Sequence, residues 1–372
     1  MKINELRPQT KKNLVTLAIA LAGFAASNIA VAVGAGSWFR GLLVPICIYV
    51  ILAVSLNLTV GILGELSLGH AGFMCVGAYA SSLFSVCTKT AITSTWIRFP
   101  LAILIGALAA AVFGFIVGIP VLRLNGDYLA IVTLAFGEII KTFVNNIYLA
   151  TDKNGVHLAI SSTQGMNLDE TTKTWLINGP AGIDGTPRDS GFTVAFVLVM
   201  ITLIVIMNLV DSRAGRAIMA IRDNRIAAES VGINIAKYKL IAIVTSAFFA
   251  GIAGALYSHN LSTLKATTNN FGYNMSIMIL VFVVLGGMGS IRGSMIAAVV
   301  LYCLLSQAGC SFVSRLANTR FALVCLLRRR FARYIFIFVH FPLLNLQFVR
   351  HTLTIWSHTI PSQMPTTPIS ST

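Results

Sequence analysis

The sequence has 372 residues, of which 56% are hydrophobic and only 10% are charged, whereas soluble domains carry about 25% charged residues. So little charge excludes a soluble globular protein of this size and predicts a polytopic membrane protein. The net charge of +15 does not indicate nucleic-acid binding, because the basic residues lie in short segments between apolar runs, where they orient the chain and contact anionic lipid headgroups.

The chain begins with a basic segment, residues 1–13, which precedes the apolar run LVTLAIALAGFAASNIAVAV. This run of about 20 residues can cross a hydrocarbon core of about 30 Å. It is long for a cleaved signal peptide, and the later spans make cleavage unnecessary, so we interpret it as a first span. Residues 1–13 are then expected to form a cytoplasmic tail.

Further apolar runs predict the fold class, an all-α polytopic transmembrane helical bundle of about 8–10 spans that includes re-entrant or broken helices. The last run contains GGMGSIRGS. It is either two spans joined by a tight turn or one span broken by a re-entrant segment. Gly251 with Gly254, and Gly61 with Gly64, are candidates for close helix packing. The runs lie at roughly 41–62, 69–88, 99–122, 128–149, 192–210, 239–258 and 275–305.

Two polar segments between these runs carry opposite charge. Residues 151–190 contain five acidic and three basic side chains, whereas residues 211–239 contain six basic and three acidic ones. Because Lys and Arg are enriched on the cytoplasmic side of membranes, we predict that 211–239 lies inside and 151–190 outside. The outer loop is either a contact site for a partner or an irregular surface loop.

The cytoplasmic segment contains a predicted basic helix that starts at Gly215 and stops at Gly232, a typical helix terminator. A helix with one apolar face is suited to docking against another protein. The alternative is a solvated loop whose charges only fix the membrane orientation. The predicted apolar face is formed by Ala217, Ile221, Ala228 and Val231.

Glu138 and Lys141 lie within an apolar run and are candidate functional residues. A charge at the centre of a membrane helix costs about 2.5–3.5 kcal/mol, so both side chains should face the bundle interior or water. Their spacing of three residues lets them neutralise each other on one helix face. They either line a polar path or form a structural pair near the outer end of the span.

Three further polar residues mark other candidate positions. Glu65 and His70 belong to the glycine-rich stretch GELSLGHAGF, which predicts a helix break beside a polar path. A neutral His70 that bonds a neighbouring carbonyl is the alternative. Asn57 is predicted to form a hydrogen bond between helices, worth about 0.6 kcal/mol.

The sequence contains no pattern that predicts a cofactor or an enzyme. The six cysteines have no CxxC spacing, so neither a metal site nor a disulfide framework is indicated. No phosphate-binding loop or nucleophile motif is present, so any use of ATP requires another chain.

Five stretches carry a resemblance to a known family. The stretch GRAIMAIRDNRIAAESVGINIAKYKLIAIVTSAFFAGIAGALY resembles the cytoplasmic coupling segment of LivM-type permeases from branched-chain amino acid ABC importers. The others occur in the order of the family, and together they cover roughly residues 40 to 300. They are GELSLGHAGFMCVGAYA at 64–80, LRLNGDYLAIVTLAFGEII at 122–140, INGPAGIDGTP at 177–187 and VVLGGMGSIRGS at 283–294.

This resemblance implies a permease domain at residues 14–305 and several partners in a bacterial cytoplasmic (inner) membrane. These are a second permease subunit in a heterodimer, two ATP-binding subunits, and a periplasmic or lipid-anchored substrate-binding protein. Leucine, isoleucine and valine would cross between the two permeases. Close relatives carry urea or short amides. A self-sufficient secondary transporter is another alternative, which would predict inverted repeats with paired broken helices.

The resemblance also implies roles for individual residues. Those expected to couple the permease to an ATP-binding subunit are Gly215, Arg216, Arg222 and Gly232. The candidates for the translocation pathway come instead from their polar character within or beside apolar runs, and are Glu138, Lys141, Glu65, His70 and Asn57.

Residues 306–372 depart from the family pattern. This tail is basic and contains three consecutive arginines, Arg328 to Arg330, whereas the family has a short loop and a last span. If 275–305 crosses the membrane twice, the basic run lands outside, against the positive-inside rule. A reading-frame shift near residue 305 and a diverged tail both explain the change. The alternative is a genuine basic tail that binds anionic lipid.

Overall fold

The fold is described by a computed structural model that covers residues 8–33, 37–89, 92, 94–122, 124, 126–152, 155–160 and 174–307. Within these ranges, eight helices are long and apolar enough to cross a membrane, and one shorter apolar helix follows them. The predicted transmembrane helical bundle is therefore confirmed. The predicted basic tail comprises residues 306–372. From residue 308 onward it lies outside the described residues.

The helices begin and end close to the predicted apolar runs, with one exception. The run 128–149 extends past the end of its helix, because the chain enters a β-strand at Ile147. The described helices are α1 (Pro8–Ala32), α2 (Ser37–Asn57), α3 (His70–Cys87), α4 (Thr95–Val121), α5 (Asp127–Asn145), α6 (Phe192–Asp211), α7 (Arg213–Asp223), α8 (Arg225–Ser230), α9 (Ile235–Asn260), α10 (Thr268–Phe271), α11 (Tyr273–Gly286) and α12 (Ile291–Gln307).

Helices α3, α4 and α9 pack with their backbones in contact at glycines. A Cβ atom on Gly77 of α3 would lie 2.4 Å from the Cα of Gly251 in α9, and one on Gly254 would lie 2.1 Å from the Met74 carbonyl oxygen. A side chain of any size would separate these helices. The prediction of close packing at Gly251 and Gly254 is confirmed.

The last apolar run forms two helices, α11 and α12, joined by the tight turn 287–290. Gly287 and Gly289 have φ values of +93° and +83°, a backbone region that favours glycine. The run thus contains the tight turn of the first alternative. Its first part belongs to the candidate span Thr268–Gly286, whereas its second part is a shorter apolar helix.

The described part of the predicted outer loop is ordered by two small sheets rather than being irregular. The first is antiparallel, in the order β2-β1-β3, with Tyr148 opposite both Ala159 and Asn178. In the second, β4 pairs with β5, which follows α9. The strands are β1 (Ile147–Asp152), β2 (Gly155–Ile160), β3 (Thr174–Asn178), β4 (Ile183–Asp184) and β5 (Thr263–Leu264).

A largely buried ion pair holds the end of this loop on the bundle. The Arg98 guanidinium at the start of α4 lies 3.0 Å from a carboxylate oxygen of Asp189. The Thr186 hydroxyl donates to the Leu261 carbonyl over 2.8 Å. The loop is thus fixed to both α4 and the segment after α9.

Candidate functional site

The predicted helix break lies between α2 and α3. Helix α2 continues as a buried π-helix, Leu58–Leu63, which ends at Gly64 with φ +79°. Residues 64–69 are not helical, and α3 begins at His70. Backbone that leaves a helix within the membrane must be buried in protein or line water. The expected break in GELSLGHAGF is confirmed.

Helix α5 supports the non-helical segment through Thr133. The Leu68 amide donates a hydrogen bond to the Thr133 hydroxyl over 3.1 Å. A Cβ atom on Gly69 would lie 2.3 Å from the Thr133 carbonyl oxygen, so only glycine allows this approach. The sequence analysis did not identify Thr133, because nothing local distinguishes it from other threonines in apolar runs.

Glu65, within the break, forms an ion pair with Lys239 of α9. Lys239 is only 2% exposed. The sequence analysis had assigned Lys239 to the basic loop as an orientation signal. Its position at the first residue of an apolar run was the signal that it enters the bundle, where a buried ammonium requires an anionic partner.

His70 forms a hydrogen bond with Ser55, and both side chains are buried. The distance between His70 Nε2 and Ser55 Oγ is 2.9 Å. The Ser246 hydroxyl of α9 donates to the Ser55 carbonyl over 2.8 Å. His70 therefore joins the two sides of the break, although its partner is a hydroxyl rather than the expected carbonyl.

Asn57 ties the end of α2 to the turn between α11 and α12. Its Oδ1 accepts from the Gly289 amide over 2.9 Å, and its Nδ2 donates to the Ser294 hydroxyl over 3.3 Å. A Cβ atom on Gly61 would lie 2.2 Å from the Gly289 nitrogen. The predicted inter-helix hydrogen bond of Asn57 is confirmed.

The predicted basic helix from Gly215 is interrupted, so its continuity is wrong. Asn224 has an extended backbone and its Oδ1 accepts from the Ala227 amide over 3.1 Å, which caps α8 as a new helix. The predicted apolar face is also partly wrong. Ile221 and Ala228 are buried, whereas Val231 is 80% exposed.

The four predicted coupling residues lie at distinct points of this segment. A Cβ atom on Gly215 would lie 2.1 Å from the Val210 carbonyl oxygen, so the start of α7 crosses the end of α6 closely. Arg216 is exposed and donates to the Asp211 carbonyl over 3.1 Å. Gly232 follows α8 with φ +86°, which confirms the predicted stop.

The fourth residue, Arg222, joins α7 to the π-helix. Its Nη1 donates to the Gly61 carbonyl over 3.1 Å. Its aliphatic part lies over Gly64, where a Cβ atom would be 2.5 Å from the Arg222 Cγ. Ile218 of α7 packs in one apolar cluster with Leu58 and Ile62. Helix α7 is therefore in direct contact with the π-helix and with Gly64 at the start of the break.

Glu138 and Lys141 form the predicted ion pair at the other end of α11. Glu138 Oε1 accepts from the Tyr273 amide over 2.7 Å, and Lys141 Nζ donates to the Thr268 hydroxyl over 3.3 Å. The Glu138 carboxylate thus stabilises the N-terminus of α11. Its side chain remains 29% exposed. The pair lies close to the break along α5, since a Cβ atom on the neighbouring Gly137 would be 3.3 Å from the Gly69 Cα.

The sequence of this chain is similar to a known protein family and to several individual proteins. A family described as branched-chain amino acid transport system / permease component matches residues 39–327. The high-affinity branched-chain amino acid transport system permease protein LivM of Salmonella typhimurium is 38% identical over 262 residues, which are 68% of this chain and 60% of that protein. LivM of Escherichia coli is 37% identical over the same shares.

A more distant similarity extends to LivH of Salmonella typhimurium, which is 21% identical over 257 residues, 68% of this chain and 79% of that protein. This chain spans about 60% of the length of the two LivM relatives. No solved structure matches the chain.

Proposed function

Because this chain belongs to the family of branched-chain amino acid transport system permease components, we propose that it is a membrane subunit of an ATP-driven importer of leucine, isoleucine and valine. The observation that carries this proposal is the family match over residues 39–327. That range contains the interrupted helix, the basic helix α7 that contacts it, and α8, which follows α7. In this proposal the chain has no catalytic activity of its own, and separate subunits hydrolyse ATP.

The proposed partners are a second permease, two ATP-binding subunits and a substrate-binding protein, in the cytoplasmic membrane of a bacterium. Exposed apolar side chains support a docking role for α8, since Ile226 is 81% and Val231 80% exposed beside basic residues. We propose that these two side chains belong to a contact surface for another protein. An ATP-binding subunit is the proposed occupant of this surface.

The proposed permease domain comprises residues 14–305. In the proposed orientation, residues 151–190 of this domain lie outside the cell and residues 211–239 lie in the cytoplasm. Single cysteines at Asp184 and Glu229, both exposed, should react with an impermeant thiol reagent from opposite sides of the membrane in a cysteine-free background. Labelling of both positions from outside intact cells would contradict this orientation.

Coupling is proposed to run from α7 through Arg222 to the break. ATP binding would move α7, and the Arg222 hydrogen bond to Gly61 would transmit that movement to the π-helix. Asn57 would pass it on to the turn between α11 and α12. The support for this path is the uninterrupted series of contacts from Arg222 to Gly61, Asn57 and Gly289.

The pathway is proposed to pass the partly exposed carboxylate of Glu138. A substrate with an ammonium and a carboxylate group meets few other ionisable groups in the spans, which are otherwise apolar. Glu138→Gln leaves Lys141 without its counter-charge, and the remaining cation repels the substrate ammonium. We expect the maximal uptake rate to fall about tenfold, equal to about 1.4 kcal/mol, with a smaller change in the concentration for half-maximal uptake.

The matched control for this variant is Asp184→Asn, which removes an exposed carboxylate away from both the proposed pathway and the proposed docking surface. Radiolabelled leucine uptake in cells that express each variant at equal levels measures the difference. An unchanged maximal rate in Glu138→Gln would remove Glu138 from the pathway.

Deletion and complementation test the proposed function as a whole. Cells that lack only this subunit should lose high-affinity leucine uptake, and its expression should restore uptake only when the partner permease and ATP-binding subunits are present. Retained leucine uptake with loss of urea uptake would move the assignment to the urea-transporting relatives. Restoration by this chain alone would refute an ABC importer.

A further inference from the structure

A small cavity lies beside the helix break. Its volume is about 20 Å³, and its polar lining comes from residues of the break and from α5 and α9. A cavity of about 10–15 Å³, measured in the same way, holds one water molecule. The cavity is far too small for an amino acid, since ligand sites occupy about 300–1,000 Å³. The polar lining residues are Thr59, Glu65, Ser67, His70, Thr133 and Ser246.

One carboxylate oxygen in this lining needs a hydrogen-bond donor. Glu65 Oε1 pairs with Lys239. Glu65 Oε2 is buried and has no hydrogen-bond partner among the residues that the structure describes. A buried acceptor without a donor destabilises the folded protein, and does so more strongly when it is charged. The cavity is the space from which a donor can reach this oxygen.

The charges around the cavity decide between a water molecule and a cation. Lys239 already supplies one positive charge against the one negative charge of Glu65, and its ammonium is buried beside the same carboxylate. A second cation would be repelled by that ammonium in a medium of low dielectric constant. The other polar lining groups are hydroxyls and one imidazole. A neutral donor therefore fits the site.

We propose that this cavity binds one ordered water molecule that donates a hydrogen bond to Glu65 Oε2. A buried water makes about three hydrogen bonds. The Thr59 hydroxyl already donates to the Leu56 carbonyl over 2.9 Å, so it offers the water an acceptor. The Ser67 hydroxyl, which lines the cavity, supplies a donor to the water oxygen. The water completes the polar contacts of the break without adding charge.

A high-resolution cryo-electron microscopy map of the full chain in its assembled complex tests this site. We expect one density peak within about 3.2 Å of Glu65 Oε2, in contact with the hydroxyls of Thr59 and Ser67. Absence of any peak in a map that shows waters at other buried sites would overturn the proposal. A side chain from another segment on Glu65 Oε2 would overturn it as well.

A stability measurement gives a second readout that does not depend on transport. Ser67→Ala removes the proposed donor, so the water peak should weaken and the melting temperature should fall by about 2 °C. Ser230→Ala is the matched control, because Ser230 is exposed on α8. An unchanged water peak and melting temperature in Ser67→Ala would contradict the assigned donor.

To detect a bound cation, sodium chloride is replaced stepwise by choline chloride at constant ionic strength while the melting temperature is measured. The melting temperature of the wild-type protein should be the same in both salts. A sodium-dependent rise that is lost in Glu65→Gln would assign the cavity to a cation and overturn the water site.

Discussion

Replacement of Lys239 by methionine is expected to lower the free energy of unfolding by about 3–5 kcal/mol. The variant leaves the Glu65 carboxylate buried without a counter-charge, because Lys239 is its only ionic partner among the described residues. Methionine keeps most of the volume of the side chain, so the loss reports on charge rather than packing. Thermal unfolding of the purified protein in detergent measures it.

Two variants control this prediction. Lys237→Met removes an exposed lysine of the same helix and should leave stability within about 0.5 kcal/mol of wild type. The double variant Glu65→Gln with Lys239→Met removes both charges and should recover much of the loss. A single Lys239→Met variant as stable as the wild-type protein would contradict the buried ion pair.

Substitution of Arg222 by glutamate is expected to reduce ATP-driven leucine uptake by more than tenfold while the protein still inserts. Glutamate cannot donate to the Gly61 carbonyl, and its charge faces that oxygen instead. A tenfold loss corresponds to about 1.4 kcal/mol of the barrier. Arg222→Lys keeps a donor and a positive charge, so it should retain more activity. Equal uptake by wild type and Arg222→Glu would remove Arg222 from the coupling path.

Gly232→Val tests the proposed contact between the basic segment and the ATP-binding subunit. At φ +86° a β-branched residue is strained by about 1–2 kcal/mol, so the turn after α8 should shift and copurification with the ATP-binding subunit should fall. Gly191→Val is the matched control, since Gly191 has φ −75° and open space around its Cβ position. Normal copurification of Gly232→Val would indicate that 211–239 acts only as an orientation loop.

The features that the sequence predicted correctly depend on local pattern. The apolar runs gave the spans, because about 20 apolar residues are long enough to cross the bilayer. Clustered glycines marked the break at 64–69 and the turn at 287–290. The Glu138–Lys141 pair followed from helical spacing alone.

The features that the sequence missed depend on contacts between distant segments. The Glu65–Lys239 pair joins residues 174 positions apart, and the Thr133 contact with the break joins residues 65 positions apart. No local pattern encodes such pairing. The end of α7 was missed for a different reason. The apolar spacing continues through Asn224, but its side chain caps α8 and outweighs that spacing.

The most direct measurement of the proposed function is leucine uptake into proteoliposomes. They would contain this chain, its partner permease and the ATP-binding subunits, with the substrate-binding protein added outside and ATP enclosed. Leucine should accumulate only when all components and hydrolysable ATP are present, and omission of this chain should abolish accumulation. Leucine accumulation without this chain, or equal accumulation without ATP, would contradict its assignment as a permease subunit of an ATP-driven importer.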